Sequence, residues 1–178
     1  MTMKRRRSRF EAGSHRAAPD QPPDPYQLGL AMLARRDYST ARVRERLRET
    51  MADEEAVEAA IERLTQEAAL DDHRLAAGYA RTAAQVKGRG RLRILRELAQ
   101  MGIPDAIARD AVEQAVPAHE QEQALRRAIA RHVKGPLRDD RSVRRAYAAL
   151  IRLGFPPADV RAALLGRDAR PWPDDPDA

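Results

Sequence analysis

The chain repeats itself. Aligning Leu98 with Leu150 brings Met101 onto Leu153, Gly102 onto Gly154, Ile103 onto Phe155 and Val112 onto Leu164, an offset of 52. Aligning Leu47 with Leu98 brings Ile61 onto Val112 at an offset of 51. A fixed period of about fifty residues is the pattern of an array, in which each unit buries little by itself and docks on its neighbours. Few other features restrict the possible folds as much.

Within each period the apolar residues recur at three and four, and from Tyr26 to Gly166 no stretch alternates over strand length. The spacing predicts a first helix near 28–35, broken by Asp37, Tyr38 and Ser39. Ser39 caps a second helix carrying Val43 and Leu47, and Asp53 caps a third carrying Val57, Ile61 and Leu64. Leu70-Asp71-Asp72 opens a fourth helix with Leu75, Tyr79, Ala83 and Val86 on one stripe. Gly88-Arg89-Gly90 ends it. A fifth helix over 91–101 is closed by Gly102 as its left-handed residue, and Pro104 opens a sixth. A seventh is expected over about 120–134. Asp139 or Asp140 caps an eighth, which Gly154 ends, and Pro156-Pro157 opens a ninth.

The fold class that follows is all-α: an elongated tandem array of three three-helix repeats, at 26–69, 70–116 and 117–166. The first unit departs from the others, with Met51 and Ala52 where Gly and a bulky apolar residue stand. Residues 1–25 form a basic, Pro-rich tail and residues 167–178 an acidic one, both expected to be disordered. Composition agrees with small cores, since alanine supplies 34 residues and aromatics only 4%. So few bulky groups argue against a cofactor pocket, and no cofactor is expected. Without cysteine there is no disulfide, thiolate zinc site or cysteine nucleophile. No apolar run is long enough for a bilayer span or a signal-peptide core, so a cytoplasmic location without membrane contact is expected.

Enzyme signatures are missing. His15, His73, His119 and His132 show no metal-binding spacing, so no metal site is expected. Gly88-Arg89-Gly90 is a fragment of a phosphate loop that follows a helix where a strand is required, and it reads as a helix stop. Asp71-Asp72 reads as a helix cap and not as paired catalytic carboxylates. No catalytic residue is assigned, and a non-enzymatic role is expected.

Charge is organised by helix. The chain's net +6 is unevenly spread: +5 falls on residues 79–101, +7 on 126–152, −7 on 53–72 and +5 on the first sixteen residues. Basic residues thus concentrate in the second helix of every unit, and stacked units would align them into a stripe suited to DNA phosphates or an acidic polymer. Pairing between the acidic and basic helices would absorb part of that stripe. Few aromatics lie among the cations, which argues against base stacking and sequence-specific reading.

Four ordered motifs together resemble the RecX family. Leu70-Asp71-Asp72-His73-Arg74-Leu75-Ala76, with Tyr79 beyond, is similar to its LDD-x-R-aromatic-A element. Lys87-Gly88-Arg89-Gly90, then Ile94, Glu97-Leu98 and Gly102-Ile103, is similar to its KGYG…I…EL…GI stretch. Ala34 to Ser39 resembles the R-x-YS opening, and Leu153-Gly154-Phe155 through Val160 the C-terminal GF…I…L close. Leu75 and Arg89 depart from the aromatics usual there. The resemblance, over 26–166, implies a regulator that lies in the groove of the RecA–DNA filament and impedes its growth. Depressed ATP hydrolysis, strand exchange and co-protease function would follow, and with them modulation of recombinational repair and the SOS response. It also implies direct binding of single- and double-stranded DNA.

Contact with filament or DNA is assigned to Arg81, Lys87, Arg89, Arg91, Arg93 and Arg96 of the second unit and Arg141, Arg144 and Arg145 of the third. Reversing the charge of Arg89, Arg91 and Arg93 together is then expected to weaken binding. Asp71, Asp72, Arg74, Gly102 and Gly154 are assigned to folding. The array is expected to act as a monomer. A stand-alone helix-turn-helix DNA binder is the rival, since second helices after short turns could be recognition helices. A helical scaffold for an acidic protein partner is the third possibility.

Overall fold

The computed structural model describes residues 24–133, 137 and 139–168. Nine α-helices account for most of them: α1 Pro25–Leu33, α2 Thr40–Thr50, α3 Glu54–Gln66, α4 Asp72–Arg81, α5 Arg91–Gln100, α6 Asp105–Ala115, α7 Gln121–His132, α8 Asp140–Leu153 and α9 Pro157–Asp168. No strand occurs among the described residues. Of the tails expected to be disordered, residues 1–23 and 169–178 lie outside them, whereas Asp24 and Pro25 cap and open α1 and residues 167–168 end α9.

Capping follows the sequence closely. Ser39 accepts from the Arg42 amide at 3.3 Å, Asp53 from Ala56 at 3.1 Å, Asp71 from Arg74 at 2.9 Å and Asp139 from Ser142 at 2.6 Å. Each satisfies one of the amides that a helix start leaves without a partner. α1 begins three residues earlier than its apolar spacing suggests, because Asp24 accepts from the Tyr26 amide at 3.0 Å and Pro25 fits the first turn.

Three clusters form the core, one per unit. Val43, Leu47, Val57, Ile61, Leu64 and Leu70 fill the first, so Leu70, which the sequence places at the opening of the second unit, is buried in the first. Ile94, Leu98, Ile103 and Val112 lead the second, among buried alanines. Leu125, Ile129, Leu150, Phe155, Val160 and Leu164 fill the third. The apolar residues aligned by the repeat therefore lie in or against these cores at equivalent places.

One expectation fails locally. Val86 does not share the stripe of Leu75, Tyr79 and Ala83: it is 69% exposed. After α4 the chain widens into a π-helical turn, Thr82–Val86, with the Lys87 amide donating to the Thr82 carbonyl at 3.2 Å. The extra residue in that turn rotates Val86 off the buried face and brings Arg89 toward α5.

Successive units meet end to end through their second helices. The Gly90 amide donates to the Leu153 carbonyl at 2.7 Å and the Leu92 amide to the Gly154 carbonyl at 3.2 Å, joining the start of α5 to the end of α8. At the other junction, Ser39 at the start of α2 donates its hydroxyl to the Met101 carbonyl at the end of α5. There the Thr40 amide also donates to Asp72 at 2.9 Å. Gly102 and Gly154 are left-handed, with φ of +79° and +91°. In both C-terminal turns the residue after the glycine donates back across the turn, Ile103 to Leu98 at 3.1 Å and Phe155 to Leu150 at 3.3 Å.

The two glycines do more than end helices. A Cβ on Gly154 would lie 2.3 Å from the Arg93 Cβ, and one on Gly102 would lie 2.8 Å from the Ala41 Cβ. Gly154→Ala is therefore expected to cost more than the ~1–2 kcal/mol of left-handed strain, because the junction must also open. Gly88, left-handed at +62° with only the tip of Arg131 nearby, serves as the comparison. Urea unfolding should show Gly88→Ala losing the strain term alone and Gly154→Ala losing clearly more.

Candidate filament and nucleic-acid interface

The nine cations assigned from sequence divide into two groups. Arg89, Arg91 and Arg93 are tied into the fold. The Arg89 side chain, 19% exposed, pairs with Glu97 at 2.5 Å and donates to the Tyr79 hydroxyl at 2.9 Å. Tyr79 in turn donates to Glu97 at 2.7 Å. Arg91, 22% exposed, pairs with Glu113 at 2.6 Å and donates to the Val116 carbonyl at the end of α6. Arg93 pairs with Glu97 at 3.0 Å and donates to the Arg152 carbonyl at 2.9 Å, across the junction to the third unit.

The last contact has a counterpart in the first unit. Arg42, one period before Arg93, donates to the Gln100 carbonyl at 3.4 Å, and Gln100 is one period before Arg152. The same arginine thus reaches the same carbonyl at both junctions. Charge reversal of Arg89, Arg91 and Arg93 would accordingly break the Glu97 cluster and a junction, so its effect on binding would be mixed with an effect on folding.

The remaining cations face outward. Arg81, Arg96, Arg141, Arg144 and Arg145 are exposed, and exposed Lys87 lies 5.8 Å from the Tyr79 ring. Among the described residues no ion pair forms at Arg81, Arg96, Arg141 or Arg145. On α8, Arg141, Arg145 and Arg152 are spaced four and seven, which places them on one helix face, opposite buried Leu150. Arg152 was not singled out from sequence, although the helical period groups it with the other two.

The second helices are not equally basic on their outer surfaces. On α2 every arginine has a carboxylate partner: Arg42 with Glu45 at 2.5 Å, Arg46 with Glu49 at 2.7 Å, Arg44 with Glu58 at 2.7 Å and Arg48 with Glu54. The Arg44 hydrogen bond holds the Glu58 carboxyl below its usual range. The acidic third helix of the first unit, through Glu54 and Glu58, and the glutamates of α2 itself thus neutralise the second helix. The outer face of α5 offers Leu92 and Arg96, and that of α8 three arginines. A uniform basic stripe is replaced by a gradient that rises toward the third unit.

The structural assignments fall at boundaries between elements. Asp71 caps α4, Asp72 receives the Thr40 amide of the preceding unit, and Arg74 donates to the Ala68 carbonyl at 3.3 Å. Among the described residues, no group of three or more His, Asp or Glu could hold a metal ion, and no helix is long and apolar enough to cross a membrane.

Comparison with known proteins is consistent with this architecture. A family model for the first three-helix domain of RecX matches residues 26–64, and one for the second three-helix domain matches residues 71–112. The regulatory protein RecX of Halorhodospira halophila is 32% identical over 140 residues, covering 78% of this chain and 85% of that protein. That of Syntrophotalea carbinolica is 33% identical over 138 residues, covering 74% and 88%. The RecX of Geobacillus kaustophilus is 30% identical over 145 residues, and there the match spans 79% of this chain but only 52% of the relative. The crystal structure of RecX from Lactobacillus salivarius superposes with a TM-score of 0.65 at 20% identity, over 82% of this chain and 96% of that one.

The Glu97 cluster yields a pH prediction. Burial alone would raise the Glu97 carboxyl. The hydrogen bonds from Tyr79 and Arg93 and the nearby charges of Arg89 and Arg93 outweigh burial and hold the carboxyl below its usual range. A carboxylate depressed in the folded state adds stability above its unfolded pKa, near 4.3, and loses it as pH falls through the lower folded value. Glu97→Gln leaves two half-buried guanidinium groups short of a partner and is expected to cost about 1–3 kcal/mol at neutral pH. In urea titrations the gap between variant and parent should narrow as pH drops below about 4.

Proposed function

The chain belongs to the RecX family of regulatory proteins, and on that premise we propose that it binds the RecA–DNA filament and restrains its growth. ATP hydrolysis, strand exchange and co-protease activity of the recombinase fall as a result, and recombinational repair and the SOS response are modulated. The protein acts in the cytoplasm, as a monomer and without catalysis of its own. DNA, single- or double-stranded, is contacted through phosphates and without strong sequence preference.

The observation that carries this reading is the end-to-end joining of three units into one body whose cations face outward on α5 and α8. A filament presents the same protomer surface repeatedly, and several modest contacts on one linked body add to high avidity without a deep pocket. The graded charge supports contact chiefly through Arg141, Arg145 and Arg152, with Arg144, Arg96, Arg81 and Lys87 around them. Exposed guanidinium groups suit phosphates and carboxylates alike.

The test is a titration into a preformed recombinase filament on single-stranded DNA, following ATP hydrolysis. Inhibition is expected well below one copy per recombinase protomer, since a blocked filament end or groove halts many protomers. Loss of hydrolysis only when the protein rivals the DNA in amount would overturn the proposal in favour of simple masking of DNA.

A further inference from the structure

The same groove recurs at both junctions, between the loop that joins a unit's first two helices and the first helix of the next unit. On the helix side, Leu75, Gly78, Tyr79 and Thr82 of α4 stand 49 residues before Ala124, Arg127, Ala128 and Arg131 of α7. On the loop side, Asp37 and Tyr38 stand 51 residues before Gly88 and Arg89. The two grooves are equivalent features of the array, and their linings compare position by position.

The first groove is electrically balanced. Arg74 and Arg81 line it together with Asp37 and Asp71, and Arg74 approaches Asp71 to 4.0 Å. The second is electropositive. Exposed Arg127 and Arg131 take the places of Gly78 and Thr82, and among the described residues Glu120 is the one carboxylate in the lining. Arg89 also lines it, but its charge is taken by Glu97. Among the described residues no ion pair forms at Arg127 or Arg131; Arg131 donates to the Val86 carbonyl at 3.2 Å across the junction.

Between these cations the groove is apolar. Half-buried Ala84, Ala115 and Ala124 form its floor, and Val86, whose carbonyl Arg131 holds, is 69% exposed. The volume is about 280 Å³, which suits a single apolar side chain better than a cofactor. Phe155 is the aromatic ring in the lining, and at 2% exposed it offers no face on which a base could stack. Two guanidinium groups above an apolar floor match a peptide that carries carboxylates on either side of an apolar residue.

We propose that the groove between the second and third units docks an acidic peptide segment of a partner protein. One apolar side chain of the segment sits on Ala84, Ala115 and Ala124, and its carboxylates pair with Arg127 and Arg131. This surface shares no residue with the basic face of α8, and it stands or falls independently of the filament reading, which the ATP hydrolysis titration tests.

The test uses the full chain and three labelled probes followed by fluorescence anisotropy: the peptide Glu-Asp-Glu-Leu-Glu-Asp-Glu, the same peptide with glycine at its centre, and an oligothymidylate. The leucine peptide is expected to bind about tenfold or more tighter than the glycine peptide, the factor for burying one such side chain. Arg127→Glu should weaken it about tenfold, because one attraction becomes a repulsion. Ala124→Leu introduces the side chain that Leu75 supplies at the equivalent place in the first groove. It should weaken peptide binding too and leave oligothymidylate binding at the parental level. Circular dichroism melting of both variants separates these effects from loss of the fold. Equal affinity for the two peptides, or parental peptide binding in both variants, would overturn the proposal. So would a loss of oligothymidylate binding in Ala124→Leu as large as the loss of peptide binding, which would give the groove to nucleic acid.

Discussion

The structure depends on the way one helix end meets the next helix start. At the junction of the second and third units the amides of Gly90 and Leu92 donate to the carbonyls of Leu153 and Gly154. Those amides open α5 and those carbonyls close α8, so each satisfies groups that an isolated helix leaves to solvent. The negative end of one helix dipole is set against the positive end of the next. The junction of the first two units repeats the arrangement with different chemistry, Ser39 and Arg42 donating to Met101 and Gln100. Backbone meets backbone only where no Cβ intervenes, which is why Gly90 and Gly154 stand at the contact of α5 with α8, while Gly102 makes room for the Ala41 Cβ at the first junction.

This joining also determines which charges remain for a partner. Arg93 serves the junction, Arg89 serves the cluster around Glu97, and Arg91 closes the end of α6. α3 and the glutamates of α2 itself take up the arginines of α2. What is left outward is concentrated on α8. Exposed ion pairs of the α2 type contribute little stability each. Their larger effect is to flatten the electrostatic field at one end of the array and leave it steep at the other.

Much of this was legible in the sequence. Helix number, the caps at Ser39, Asp53 and Asp71, the left-handed glycines and the core positions all follow from period and spacing. The π-helical turn was not legible, because one extra residue per turn leaves no mark in composition, and Val86 was misplaced as a result. The roles of Arg89, Arg91 and Arg93 were hidden because a cation reads the same whether it faces solvent or a carboxylate eighteen residues from its other partner, as Glu97 is from Tyr79. One signal was available: the period that pairs Leu47 with Leu98 also pairs Arg42 with Arg93. An arginine retained at one place in two units hints at a role in the array.

The central claim is that the outward arginines of the third unit carry the contact while α2 carries none of it. Binding to a recombinase filament at fixed salt should be compared for two full-length variants, Arg141→Glu/Arg145→Glu/Arg152→Glu and Arg46→Gln/Arg48→Gln, with helicity checked in both. The account predicts a large loss of affinity and of salt sensitivity in the first, and near-parental salt-dependent binding in the second. Equal losses in both, or a loss confined to the α2 variant, would contradict it.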